Sequence, residues 1–243
     1  MTRLAFTAGT DTGTDAGAGG EAAEELAAFL GRLLRWDKAA VVRLRSAEGE
    51  AALGVFGHPP FGDVLAVKGV ALGGSGVGVA VDATVSAGEL LEAVSAAASE
   101  GGAEFTVPRS VTGPAWAGLL PPRGGWQRIA EMPAAPVRGV AAEAVAEFRA
   151  RTEGLPQERR TRRELDALAE ELWGRSFGPG GAVTLRVVHA AYALGFLRVP
   201  PGEGAQDVAV LLSAGAWVRL RTGYGSVAVR GASATSRLTV SPV

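Results

Sequence analysis

Trp217-Val218-Arg219-Leu220-Arg221, a turn through Thr222-Gly223-Tyr224-Gly225, then Ser226-Val227-Ala228-Val229-Arg230, is the stretch that decides the fold. Aliphatic and polar residues alternate on both sides of a glycine-bearing turn, the pattern of an antiparallel hairpin with one wet face. Successive strand side chains point to opposite faces, so Trp217, Arg219 and Arg221 share one face and Arg230 joins them across the hairpin. Val218, Leu220, Val227 and Val229 turn the other way. From Val208 to Val243 there are four arginines and no acidic residue. An echo stands near the front: Val41-Val42-Arg43-Leu44-Arg45, a polar turn, then Leu53-Gly54-Val55-Phe56-Gly57.

Working outward, each hairpin belongs to a helix-then-strands passage. In the front half, 21–36 reads as a helix with Leu26, Phe29, Leu30, Leu33 and Leu34 on one stripe and acids at its start complementing the dipole. Strands are predicted over 40–45, 51–56, 64–70 and 77–81, separated by glycine- and proline-bearing turns. Ser86 with Glu89 forms a capping box opening a helix to about residue 99, and a short strand follows at 104–107. In the back half, helices are predicted over 137–152, 161–175 (capping box Thr161 and Glu164) and 184–197. The last is apolar almost all round and therefore belongs in the core. Strands follow over 208–212, 216–221, 226–230 and 238–240.

The expected fold is α+β, with two mostly antiparallel β-meanders and about five helices. The repeated order reads as a degenerate, pseudo-two-fold internal repeat. Chance recurrence in Arg/Val/Gly-rich sequence is the competing reading. The organisation expected is a flexible lead-in over 1–20, an N-terminal α+β lobe over 21–107, a Pro/Gly/Trp-rich connector over 108–136, and a C-terminal helical and meander lobe over 137–243.

Composition narrows the function classes. The formal charge is −1, so no global field calls for nucleic acid or an anionic membrane. There is no cysteine, which removes disulfides, thiol catalysis and thiolate metal sites together. Only His58 and His189 are present, with no zinc-binding spacing, so no metal and no cofactor is expected. The run Gly73-Gly74-Ser75-Gly76-Val77-Gly78 lacks the Lys-Ser/Thr of a phosphate loop and precedes a strand rather than a helix. No apolar leader or membrane span is read, and a soluble cytoplasmic protein is the expectation. Lysine occurs only at Lys38 and Lys68 and isoleucine only at Ile129. The chain resembles the alanine- and arginine-rich proteins of high-GC actinobacteria, a likeness that implies no activity and makes genome bias one source of the arginines.

Three features carry the candidate sites. The face of Trp217, Arg219, Arg221 and Arg230 suits phosphates, carboxylates or stacked bases. An ordinary solvated face, or arginines paired to helix carboxylates, is the bland alternative. The cluster Arg159, Arg160, Arg162 and Arg163 surrounds a helix N-terminus, where cations oppose the dipole unless an anion neutralises them. Nearby glutamates or an external anion would do so. Trp116 and Trp126, set among Pro and Gly, read either as a partner surface or as plugs between subdomains.

The leading expectation is a non-enzymatic protein-interaction or regulatory module. The alternatives are a binder of nucleic acid or a small anion through a basic sheet face, and an enzyme of unfamiliar type with its site between the lobes. The expected partner is a protein, with nucleic acid or a small anion as the other option. Oligomeric state is left open.

Overall fold

The computed structural model describes residues 2–7, 16–74, 77–99, 104–202 and 207–231, with 16–19 described by backbone alone. It divides into two compact units, Met1–Leu120 and Pro121–Val243. Each is α+β, and every strand pair formed within them is antiparallel. The described residues form five α-helices.

In the first unit, α1 (Ala16–Trp36) leads into β2 (Val41–Ser46), β3 (Ala52–Gly57) and β4 (Leu65–Ala71). The stripe read from sequence is the buried one: Leu26, Phe29, Leu30 and Leu33 are all inaccessible, while Leu34 is only half-buried. Alternation then sets the sheet. Val42 and Leu44 of β2, and Leu53 and Val55 of β3, are fully buried on one face. Arg43 and Arg45 stand on the other.

Lys68 of β4 pairs in register with Val55, which puts it on the core face. Lys68 is 6% exposed, and its ammonium forms an ion pair with Glu25 of α1. A buried lysine persists only when paired, so this contact keys α1 onto the sheet. No local pattern pointed to it.

Three expectations for this unit are corrected. The fourth strand is not 77–81 but β5 (Val81–Ser86), and it pairs with β2 rather than continuing a meander from β4, giving the order β5-β2-β3-β4. Gly78 adopts φ +82°, which breaks the earlier stretch. Ser86 both ends β5 and caps α2 (Ala87–Ser99), its Oγ accepting from the Glu89 N–H at 3.3 Å. Second, the flexible lead-in expected over 1–20 contains a strand. Arg3–Ala5 forms β1 against β6 (Glu104–Thr106), with Phe6 stacked on Phe105 at 4.9 Å. Because α1 begins at Ala16, no acid lies in its first turn.

Third, the expected connector is divided between the units. The Val111 N–H donates to Thr84 O at 2.8 Å, and a 3-10 turn follows at Ala115–Gly118, all within the first unit. Gln127–Pro133 is strand β7 of the second. Its alternation is masked in sequence by the flanking Pro and Gly and by a bulge opposite Leu211/Leu212.

The second unit runs β7, α3 (Ala134–Gly154), α4 (Arg162–Trp173), the short pair β8 (Ser176–Phe177) and β9 (Val183–Thr184), and α5 (Leu185–Ala193). Then come β10 (Val208–Ala214), β11 (Trp217–Thr222) and β12 (Gly225–Arg230). The N-cap half of the second capping box forms, Thr161 Oγ1 accepting from the Glu164 N–H at 3.3 Å, while the Glu164 carboxylate is taken by Arg159. Helix α5 buries Val187, Val188, Ala190 and Ala191, as its all-round apolarity required. Helices α3 and α5 lie against one face of the sheet, where Ala209, Leu211, Leu220 and Val227 are fully buried, and α4 packs on these two helices. The sequence-predicted strand at 238–240 lies outside the described residues.

The sheet order here is β7-β10-β11-β12. In both units a helix leads into three consecutive antiparallel strands, and the first of these pairs on its other side with a fourth strand that itself runs into a helix: β5 into α2, β7 into α3. The order in the sheet is what the two units share; along the chain the fourth strand follows the other three in the first unit and precedes them in the second.

Candidate functional site

The face of the second sheet opposite its helices carries the candidate site. Register sets it out in rows. Glu131 of β7 pairs with Val210, which pairs with Arg221, which pairs with Ser226. Arg128 pairs with Leu212, which pairs with Arg219, which pairs with Ala228. Trp217 pairs with Arg230. The four hairpin residues read from sequence therefore do share one face.

That face is less wet than a solvated sheet. Trp217 is 9% exposed and Ser226 1%, and Arg219 is half-buried, whereas Arg221 and Arg230 are exposed. Arg123, Trp126, Arg128, Glu131, Arg219 and Arg221 surround a cleft of about 340 Å³ floored by Val210 and Leu212. One former candidate residue, Trp126, is thus brought beside two others. Its Nε1 donates to Pro122 O at 3.0 Å, and the Arg219 guanidinium stands 5.4 Å from the ring centroid, a cation–π arrangement.

Charge in the cleft is unbalanced. Among the described residues Glu131 is its one lining carboxylate, and it is engaged by Arg128 at 2.7 Å. Arg219 Nε donates to Ser226 Oγ at 2.7 Å, and no carboxylate among the described residues forms an ion pair with Arg219, Arg221 or Arg230. Burial, and then the neighbouring charge of Arg221, push the Arg219 guanidinium below its ordinary range. It stays protonated at neutral pH because arginine starts so high.

The equivalent face of the first unit shows the contrast. There Arg43 pairs with Asp82 of β5 at 2.6 Å and donates to Thr84 Oγ1 at 3.0 Å, and Arg45 lies 3.7 Å from the same carboxylate. The sequence echo is real as strand geometry, but the first unit supplies a counter-charge on its fourth strand and the second spends its own on Arg128.

The remaining candidates lie elsewhere. Arg159 pairs with Glu164 at 3.1 Å, and Arg162 lies 3.6 Å from Asp166. Arg160 donates to the carbonyls of Glu153 (2.7 Å) and Leu155 (2.9 Å) where α3 ends, and Arg163 is exposed. None of these four lines the cleft. Trp116 belongs to the first unit, where it stacks on His58 at 5.9 Å and lines a second cleft of about 500 Å³ with Leu33, Asp37 and Val41. The sequence reading misses Arg123, Arg128 and Glu131, because Pro and Gly mark residues 108–136 as a connector. The alternation of the strand over 127–133 places Arg128 and Glu131, and no strand pattern reaches Arg123.

No helix among the described residues is long and apolar enough to cross a membrane, and those residues hold no cluster of three or more His, Asp or Glu side chains suited to a metal.

No curated protein matches the chain. Crystal structures of DNA polymerase sliding clamps are similar to it at low identity. For the clamp from Pseudomonas aeruginosa the TM-score is 0.47 and the identity 12%, over 87% of this chain and 62% of that one. For that from Caulobacter crescentus they are 0.41 and 13%, over 90% and 67%. The chain thus spans less than two thirds of the Pseudomonas clamp. Residues 17–118 match a domain of unknown function (DUF8010) and residues 121–234 match another (DUF8185), a division that falls beside the boundary between the two compact units.

Proposed function

We propose that this protein is a non-enzymatic interaction module whose second unit holds an anionic partner in the cleft between Trp126 and the arginines of β11. The observation that carries the reading is the uncompensated pair Arg219 and Arg221, set against the Asp82-neutralised pair of the first unit. A half-buried guanidinium with no carboxylate partner gains most from an anion, since both its charge and its free N–H groups are then satisfied. The cleft supplies guanidinium groups, an indole and one engaged carboxylate. Those groups bind and orient, and none is poised as a nucleophile or general base.

Elution from immobilised heparin, a sulfated polyanion, tests this. The wild-type protein is expected to be retained at low salt and the Arg219→Gln/Arg221→Gln variant to elute earlier. Identical elution of two folded proteins overturns the reading. A protein partner is the second reading, favoured by the first unit's cleft at Trp116 and His58. It expects Trp116→Ala to abolish a partner's binding while leaving heparin retention intact.

A further inference from the structure

We infer that the partner of the second unit's cleft is a single-stranded nucleic acid, one base stacking on Trp126 while flanking phosphates bind Arg219 and Arg221; this rests on the anion-binding reading above. The reason lies in the indole. Its only polar atom, Nε1, is already committed to Pro122 O, so Trp126 offers a partner nothing but its π surface. That surface is electron-rich: it attracts guanidinium, as Arg219 demonstrates, and repels carboxylate. An acidic peptide would therefore use the arginines and gain nothing from the tryptophan at their end of the cleft. A nucleotide strand alternates anionic and flat aromatic parts, and so uses both.

The arrangement of the cleft fits this chemistry. Arg219 and Arg221 are alternate residues of β11, with Cα atoms about 6.6 Å apart, so their heads line up along a path rather than at a point. Val210 and Leu212, each 6% exposed, floor the cleft between β7 and β11, and its accessible lining is mainly the charged and aromatic side chains around them. At about 340 Å³ it lies at the small end of ligand pockets, a volume that suits a short segment of strand.

The test is a titration of the full chain with a thymidine oligomer, an abasic oligomer of equal length, and poly-glutamate. Two phosphate contacts give a slope of log K against log salt near −1.4, or about a sevenfold loss between roughly 50 and 200 mM salt. Arg221→Gln, at an exposed position, halves that slope. Trp126→Leu weakens thymidine binding by about 5- to 150-fold and leaves abasic binding unchanged. Trp126→Phe, which keeps a π face, retains most of the affinity and guards against a folding defect. Equal binding of thymidine and abasic strands, or poly-glutamate binding as tightly as thymidine, overturns the nucleic-acid inference and leaves the anion cleft standing. Failure of all three probes to bind at low salt removes both.

Discussion

Replacing Gly225 by alanine tests how the arginine hairpin is seated on the second unit. Gly225 opens β12 opposite Thr222, with φ +153°, a region that residues with a Cβ avoid. A Cβ placed there would stand 2.5 Å from Phe196 Cε1 and 2.7 Å from Cδ1 and Cζ, and Phe196 itself is buried, 2% exposed. Thr222 fixes the same corner, its Oγ1 donating to Phe196 O at 2.5 Å. The alanine therefore carries two costs: about 1–3 kcal/mol of backbone strain and about 1–3 kcal/mol of overpacking.

A double-mutant cycle separates them. Gly225→Ala is expected to destabilise the wild-type protein by about 2–6 kcal/mol in urea denaturation followed by tryptophan fluorescence. In a Phe196→Ala background, already weakened by the lost ring, it should cost only the backbone part, about 1–3 kcal/mol. The coupling energy, about 1–3 kcal/mol, is the steric term alone. If Gly225→Ala costs the same in both backgrounds, the close approach of Phe196 does not hold the hairpin, and the packing argument fails.

Other consequences follow from single contacts. Asp82→Asn should release Arg43 and Arg45 on the first unit and steepen the salt dependence of single-strand DNA binding by about 0.7 for each new phosphate contact; an unchanged slope would show that Asp82 masks nothing. His189, stacked on Trp173 at 4.3 Å, is held below its ordinary value of 6.5 by burial. It favours the neutral form, so its contribution to stability is complete above about pH 6.5 and is lost as pH falls through its lower folded value. Denaturation midpoints between about pH 7.5 and 5.5 should therefore drop more steeply for the wild-type protein than for His189→Phe, and parallel profiles would refute this. Thr161→Ala removes the cap of α4 and should cost about 1 kcal/mol by thermal denaturation, with Thr161→Ser restoring most of it.

Much of this molecule is local in origin and was legible for that reason. The stripe of α1 needs only the 3.6-residue period. The two capping boxes need only a hydroxyl three residues before the amide it accepts from. The hairpin of β11 and β12 needs only alternation about a two-residue turn, and that alternation alone puts Trp217, Arg219, Arg221 and Arg230 on one face. The same rule placed Arg43 and Arg45 together in the first unit.

Which of those arginine faces is neutralised was not legible, because it depends on the strand that arrives beside them from elsewhere in the chain. Asp82 reaches Arg43 and Arg45 only because β5 turns back to pair with β2. Arg128 and Trp126 reach Arg219 only because β7, read from sequence as connector, docks on β10. The buried pair of Lys68 and Glu25 likewise joins a strand to a helix 43 residues apart. Alternation is a property of one strand and can be read along it. Charge compensation is a property of neighbours in space, and only the tertiary fold decides who they are.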